Sequence, residues 1–244
     1  DVTKFLKRHY NYFDLQSKWY QKLFDKIKVD FVFVANDLTP NGRLFSRIAS
    51  QNNIKTFSIQ HGNIYNDWIS KNHICDYFFK YGEESKDLIV NNNYSDIEVF
   101  NTGSPFVNDI LLDKKLLLSQ NNQIRKKYNL EKKYVLVAFS GYTYLTSKEN
   151  YTWCLHSLNN LIAKYPKKQF VIKLHPKENL IDYDKISNNH NVRIIKQYNI
   201  FSSWKFSIFS WLINADILIT GSSTSAIEAM KMSVPVISMD FKNE

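Results

Sequence analysis

Residues 215–238 constrain the fold more tightly than any other stretch of this 244-residue chain. The run Ala215-Asp216-Ile217-Leu218-Ile219-Thr220 is short, apolar and β-branched, and it stops at Gly221. That pattern predicts a buried strand of a parallel sheet. Gly221-Ser222-Ser223-Thr224-Ser225 then changes the period, and Ile227 and Met230 stand three apart, which is helical spacing. Val234-Pro235-Val236-Ile237-Ser238 follows as a further strand. Glycine lets the backbone turn sharply, serine is a strong helix N-cap, and the free N–H groups of a first helical turn lie beside three or four hydroxyls. The stretch therefore predicts a strand-to-helix handover at Gly221-Ser222-Ser223 that binds an anion, and the anion expected is a phosphate.

The chain is long enough to bury a large core, and ~100–200 residues per domain gives one or two domains, of which two are expected. A hydrophobic fraction of 44% with 15% aromatics is that of a folded protein. The formal net charge of +9 favours acidic partners such as nucleotide phosphates, anionic glycans or anionic lipid surfaces. Cys75 and Cys154 are far apart, with no histidine at metal-ligand spacing, so neither a zinc site nor a disulfide framework is expected and a reducing compartment fits. No run of 18 apolar residues and no secretory leader is read, which predicts a cytoplasmic chain with at most peripheral contact at the inner face of the membrane. The first residue is not Met and the last strand ends close to Glu244, so a fragment incomplete at both ends is expected.

Strand, polar loop and helix recur along the whole chain. Residues 4–28 carry a broad apolar stripe from Phe5 to Ile27, predicting a helix packed on a sheet. Phe31–Val34 is then a strand, Thr39-Pro40-Asn41-Gly42 a turn and 43–50 a helix. Thr56–Ile59, Tyr77–Phe79 and Val99–Asn101 are the next strands. A Lys-, Gln- and Asn-rich stretch over 111–133 places the domain boundary at 118/119, giving domains 1–118 and 119–244. Strands at 134–139, 169–174, 192–195, 217–220 and 234–238 alternate with helices at 149–164 and 206–212 in the second domain. Helices between strands predict α/β domains with doubly wound parallel sheets.

Three polar loops fall at the carboxyl ends of predicted parallel strands, where open α/β sheets keep their ligands. In the first domain it is Gln60-His61-Gly62, where His61 is the general-base candidate with Asp37 and Asp67 behind it. In the second, His175-Pro176 lies between Lys173 and Lys177, and His175 is placed either to donate to a phosphate oxygen or to carry a proton. The third is Gly221, Ser222, Ser223, Thr224 and Ser225, with Glu228 one turn on, where it accepts from ribose hydroxyls or favours the positive helix end. His9, His73, His156 and His190 show no partners and read as surface or packing residues. No Rossmann glycine fingerprint and no P-loop is present, which removes support from dinucleotide oxidoreductases and NTPases. Aromatics at core spacing, without basic neighbours, argue against nucleic acid.

Lys173-Leu174-His175-Pro176 and Ser222-Ser223-Thr224-Ser225, with His61-Gly62 and Gly103-Ser104-Pro105-Phe106-Val107-Asn108-Asp109 earlier in the chain, resemble the ordered motifs of capsule and wall-polymer transferases. These are the bacterial polysialyltransferases and CDP-glycerol glycerophosphotransferases, of the two-Rossmann-domain GT-B type. The resemblance implies two Rossmann-like domains facing a cleft and a glycosyl- or polyol-phosphate transferase of cell-envelope polysaccharide synthesis. It implies a nucleotide-sugar or CDP-polyol donor and a glycan or lipid-linked acceptor. His175, Lys173 and the Ser/Thr cluster would hold the donor phosphates, Glu228 the ribose, and His61 would serve the acceptor as base. Thr220 stands where retaining enzymes of this type carry a first glutamate, so inverting transfer is expected, without metal or cofactor. The Gly-Ser-Ser and Glu-Ala pattern is shared with the non-hydrolysing UDP-N-acetylglucosamine 2-epimerases, which makes an epimerase the alternative, and a non-catalytic glycan-binding module of the same fold is the third reading.

Overall fold

The computed structural model describes residues 2–62, 72–82, 97–104, 113–142, 146–196, 207–221 and 223–239. The chain divides into two compact units, Asp1–Pro105 and Phe106–Glu244. The boundary expected at 118/119 falls inside a helix, Lys114–Tyr128. That helix packs on the second sheet through Ile124, so its residues 114–118 go with the second unit.

In the first unit, helix α1 (Val2–Lys26) leads to strand β1 (Phe31–Val34), helix α2 (Pro40–Gln51), and strands β2 (Lys55–Ile59), β3 (Tyr77–Lys80) and β4 (Glu98–Asn101). The sheet is parallel in the order β1-β2-β3-β4. Helix α2 begins three residues earlier than the turn signals suggest. Thr39 is its N-cap, accepting from the Gly42 amide, and Pro40 occupies the first helical position, where its missing N–H has no partner to lose. Gly42 is required there, since a Cβ would lie 2.0 Å from the Asn36 carbonyl oxygen.

Helix α1 reaches the core of the first sheet only near its C-terminal end, where Phe24 packs against the cluster of Val32, Val34 and Ala49. Tyr20 and Phe24 also contact Phe45 of α2, at ring-centroid separations of 4.7 and 5.4 Å. Helix α2 already occupies that face of the sheet, so Leu15 and Trp19 of α1 remain exposed. The strands alternate in burial for the same reason. Val32, Val34 and Phe78 point to the covered face, while Phe31 and Phe33 are exposed on the other.

The second unit runs through helix α3 (Lys114–Tyr128), strand β5 (Tyr134–Ala138), helix α4 (Lys148–Lys164) and strand β6 (Phe170–Lys173). A 3-10 turn (Leu180–Tyr183), helix α5 (Asp184–Ser187), strand β7 (Val192–Ile195) and helix α6 (Ile208–Leu212) follow. Strand β8 (Ala215–Thr220), helix α7 (Ser225–Lys231) and strand β9 (Val236–Ser238) complete it. The sheet is parallel in the order β7-β6-β5-β8-β9. Both faces are covered. One core joins β5 and β6 to Leu158 and Ile162 of α4, and the other joins them to Ile124 of α3 and Trp211 of α6. This is why Tyr134-Val135-Leu136-Val137 reads as one continuous apolar run and is buried throughout. Asn121 pins the second layer: its side-chain amide donates to the Tyr134 hydroxyl and the Ser210 carbonyl, and Tyr134 donates to the Trp211 carbonyl at 2.6 Å. Among the described residues no helix is long and apolar enough to cross a membrane.

Candidate functional site

The second sheet reverses direction at its centre. From β5 the chain builds outward through β6 and β7, then crosses back to add β8 and β9 on the other side of β5. Crossovers on opposite sides of such a point leave a crevice at the strands' carboxyl ends, which is where open α/β sheets bind ligands. The segments that leave β5, β6 and β8 there are 139–142, 174–178 and 221–224.

The β6 segment is a tight turn. The Glu178 amide donates to the His175 carbonyl at 2.9 Å, with Pro176 at the second position, whose fixed φ suits that place. The Glu178 side chain, only 3% exposed, folds back under the turn. Its Oε2 accepts from the His175 amide at 2.7 Å, and its Oε1 accepts from the hydroxyls of Tyr151 on α4 and Tyr183 at 2.8 and 2.6 Å. The two hydroxyls are 3.3 Å apart, and each one's single proton goes to the nearer carboxylate. Burial pushes the Glu178 carboxyl up, against the pull of the Tyr183, His175 and Tyr151 hydrogen bonds. Burial likewise holds both tyrosine hydroxyls above their ordinary range, so they stay protonated as donors. Gly141, at φ +73°, closes the β5 segment over this carboxylate, and a Cβ there would meet Glu178 Cγ at 3.1 Å. Sequence reading missed Glu178, Tyr151 and Tyr183, because nothing in the order of residues shows that two tyrosines on separate elements converge on a glutamate. The one local signal was its place three residues after His175, the reach of a turn.

His175 is half-buried, and its Nδ1 accepts the Lys177 amide at 3.2 Å. Burial, then the positive charges of Lys177 and Lys173, hold its pKa below the ordinary value. The neutral ring therefore carries its proton on Nε2, which makes it a hydrogen-bond donor. Lys173 ends β6, and burial lowers its pKa against the attraction of Glu228 and Glu178. Glu228 on α7 is pushed up to about 7 by burial, with Lys173 acting to lower it. The sheet thus brings Lys173, His175 and Glu228 together at the reversal point.

The Ser/Thr cluster departs from expectation. Helix α7 starts at Ser225, and its N-cap is Thr224, in helical conformation and without a side-chain capping bond. The cap therefore lies beyond Gly221-Ser222-Ser223, where the sequence pattern placed it. Ser225 is buried, with its hydroxyl 3.0 Å from that of Ser223 and 3.2 Å from that of Thr220. Thr220 in turn donates to the Ala138 carbonyl at 2.6 Å. Ser225 therefore locks the handover between β8 and α7, and Ser223, Thr224 and Gly221 form its accessible part. Ser222 lies outside the described residues.

In the first unit, Asp37 follows β1 and is fully buried. It accepts from Ser58 Oγ at 3.1 Å, His73 Nδ1 at 2.6 Å, and the amides of Ile74 and Cys75 at 2.8 and 3.2 Å. Burial acts to raise its pKa, but His73 and the two amides outweigh it and hold the carboxyl at about 2. Such a carboxylate anchors the 73–75 segment and is not arranged to accept a further proton. His73, read from sequence as having no partner, is its buried counterpart and rests against Phe78 at 4.2 Å between ring centroids. His61 is exposed at the end of β2, and among the described residues no hydrogen bond joins it to Asp37. Gln60 beside it is buried, donating to the Gly62 carbonyl and accepting from the Tyr81 amide, which ties the ends of β2 and β3. Asp67 and residues 105–109 lie outside the described residues.

A sequence model of UDP-N-acetylglucosamine 2-epimerase matches residues 18–243. The chain belongs to that family. The crystal structure of the Neisseria meningitidis UDP-GlcNAc 2-epimerase bound to UDP-GlcNAc superimposes with a TM-score of 0.72 at 20% identity, over 91% of this chain and 62% of that one. The Methanocaldococcus jannaschii enzyme, in complex with UDP-GlcNAc and UDP, gives 0.68 at 21% identity over 91% and 63%. The wall teichoic acid polymerase TagF gives 0.53 at 16% identity over 83% and 52%. At such identities these likenesses establish the GT-B-like fold of paired parallel α/β units. The chain spans about three-fifths of the length of the epimerase structures. No curated protein sequence matches it.

The family match corrects the expected glycosyltransferase. The His-Pro and Ser-Ser/Thr motifs that suggested it sit at strand ends of a fold that transferases and epimerases share, so four short motifs on that scaffold do not separate the two classes.

Proposed function

We propose that the protein works as a UDP-N-acetylglucosamine 2-epimerase, taking a nucleotide-activated amino sugar as its one substrate. The family match over residues 18–243 carries this reading. Inverting carbon 2 breaks one C–H bond and makes another on the opposite face. Composition is unchanged, so neither an acceptor nor an oxidant is consumed.

The second unit supplies the nucleotide end. Lys173 and the Nε2–H of His175 face the diphosphate, where a positive charge and a neutral donor held by Glu178 stabilise negative charge without reorganising. Ser223 and Thr224 contribute hydroxyls. Glu228, ionised above about pH 7, accepts from the ribose hydroxyls. In the first unit, His61 is the proton acceptor, because Asp37 is already saturated by its donors.

Incubating the chain with UDP-N-acetylglucosamine in deuterated water tests this directly. Proton NMR is expected to show the manno epimer appearing with deuterium at carbon 2. UDP at ~100 times its dissociation constant is expected to add about 2.7 kcal/mol of stability to the wild type, and much less to His175→Ala. A wild type that is not stabilised by UDP, or that turns the sugar over without exchange at carbon 2, overturns the reading.

A further inference from the structure

Helix α4 and the segment 180–187 enclose a groove of about 470 Å³ that the nucleotide site does not use. Its size is that of a small-molecule pocket, ~300–1,000 Å³. Lys148 and Thr152 line it from one stripe of α4, Asp182, Asp184 and Lys185 line it from the segment 180–187, and Tyr142 lines it as well. It is not a packing fault. Beneath it Leu158, Tyr183 and Ile186 are buried in a closed core.

Two features fix what the groove accepts. First, its formal charges cancel: two lysines, Lys148 on one wall and Lys185 on the other, balance Asp182 and Asp184, in a chain whose overall charge is +9. Among the described residues no ion pair joins them, so donors and acceptors of both signs remain available to a ligand. A site of balanced charge gives no net attraction to a phosphate or a cation. Second, Tyr142 is 52% exposed, with its ring 6.2 Å from that of Tyr151, and Ile181, which also lines the groove, is 73% exposed. An open aromatic face next to mixed hydrogen-bonding groups suits a molecule with one apolar C–H face and a rim of hydroxyls.

We propose that this groove is a binding site for a neutral pyranose, stacked on Tyr142 and hydrogen-bonded to Lys148, Asp182 and Asp184, and that its occupancy is transmitted to His175. The route is short. Tyr151 lines the groove and donates to Glu178 Oε1 at 2.8 Å, and Glu178 Oε2 accepts the His175 amide at 2.7 Å. A ligand that shifts the Tyr151 ring moves the carboxylate that positions the His175 turn. Binding at the groove is independent of the epimerase reading, since no nucleotide takes part.

The test uses the 244-residue chain and saturation-transfer NMR, with methyl glucopyranoside and lactose as neutral probes, glucose 6-phosphate as an anion and glucosamine as a cation. The neutral sugars are expected to bind in the millimolar range, with affinity falling tenfold or more in Tyr142→Ala and in Asp184→Asn. Both substitutions replace exposed side chains, and an unchanged amide spectrum checks the fold. Neutral sugar is also expected to shift the His175 imidazole resonance in the wild type, and Tyr151→Phe is expected to keep the sugar but lose that shift. No binding of either neutral sugar, binding indifferent to both groove substitutions, or a preference for the charged sugars overturns the site. Binding without a His175 response overturns the coupling.

Discussion

Glu228 is the residue whose charge state is set to change near neutrality. Burial raises its pKa to about 7 from an ordinary 4.5, and Lys173 limits the rise. A carboxyl raised on folding favours the folded state when protonated. Its contribution is therefore complete below about pH 4.5 and is lost as the pH climbs to about 7. In the proposed ribose contact binding runs the other way, because the carboxylate is the better acceptor of ribose hydroxyls. The affinity for UDP, followed by calorimetry from about pH 6 to about pH 8, is expected to strengthen more steeply through pH 7 in the wild type than in Glu228→Gln, since the second ionisation of the terminal phosphate is common to both. A profile in the wild type that matches the variant removes Glu228 from the ribose. The positions of His175 and Glu228 were both legible in the sequence, since His175 follows the strand β6 and Glu228 lies in the helix that follows β8. What was not legible was their electrical setting. The Lys173–Glu228 attraction joins strand β6 to helix α7, and the Tyr151–Glu178–His175 chain joins helix α4 to the turn after β6.

At the scale of elements, the sequence announced most strands and helices through their periods, and it misjudged those whose ends depend on a neighbour. Thr39-Pro40-Asn41-Gly42 carries every mark of a turn and is the first turn of α2, because the Thr39 hydroxyl caps the Gly42 amide and the chain then continues helically. The close approach of the Asn36 carbonyl makes the demand at Gly42 steric. Gly42→Ala is expected to destabilise the protein by about 2 kcal/mol or more, through a contact that the helix cannot relieve. Thr39→Ala, which removes one capping bond, is expected to cost about 1 kcal/mol. Urea denaturation of both variants checks the order; a Gly42→Ala protein as stable as the wild type would mean that the 36–42 turn is looser than described. The handover after β8 shows the same limit. Four consecutive hydroxyl side chains gave the sequence no way to say which one caps, and packing against Thr220 turned Ser225 inward and left Thr224 at the cap.

At the scale of the whole molecule, the net charge of +9 bears on the proposed nucleotide site. A diphosphate approaching Lys173 is drawn by a long-range positive field that salt screens within ~10 Å at 0.1 M. UDP affinity is expected to weaken several-fold between about 0.05 and about 0.5 M salt, whereas neutral sugar binding in the α4 groove is expected to stay within a factor of two. Calorimetry and NMR titrations at the two salt concentrations separate the sites, and an equal response of both ligands would contradict the charge balance of the groove. By itself the sequence determined the class of fold, since continuous apolar runs that alternate with helical stripes can be buried only as parallel strands under helices. It also determined where ligand loops must fall, because such strands end on one side. The tertiary structure alone decided which hydroxyl, carboxylate and imidazole turn outward and which are consumed in holding the turns. Those choices depend on partners far away in the chain, and a carboxylate such as Asp37 or Glu178 becomes an anchor only when folding brings three or four donors to it at once.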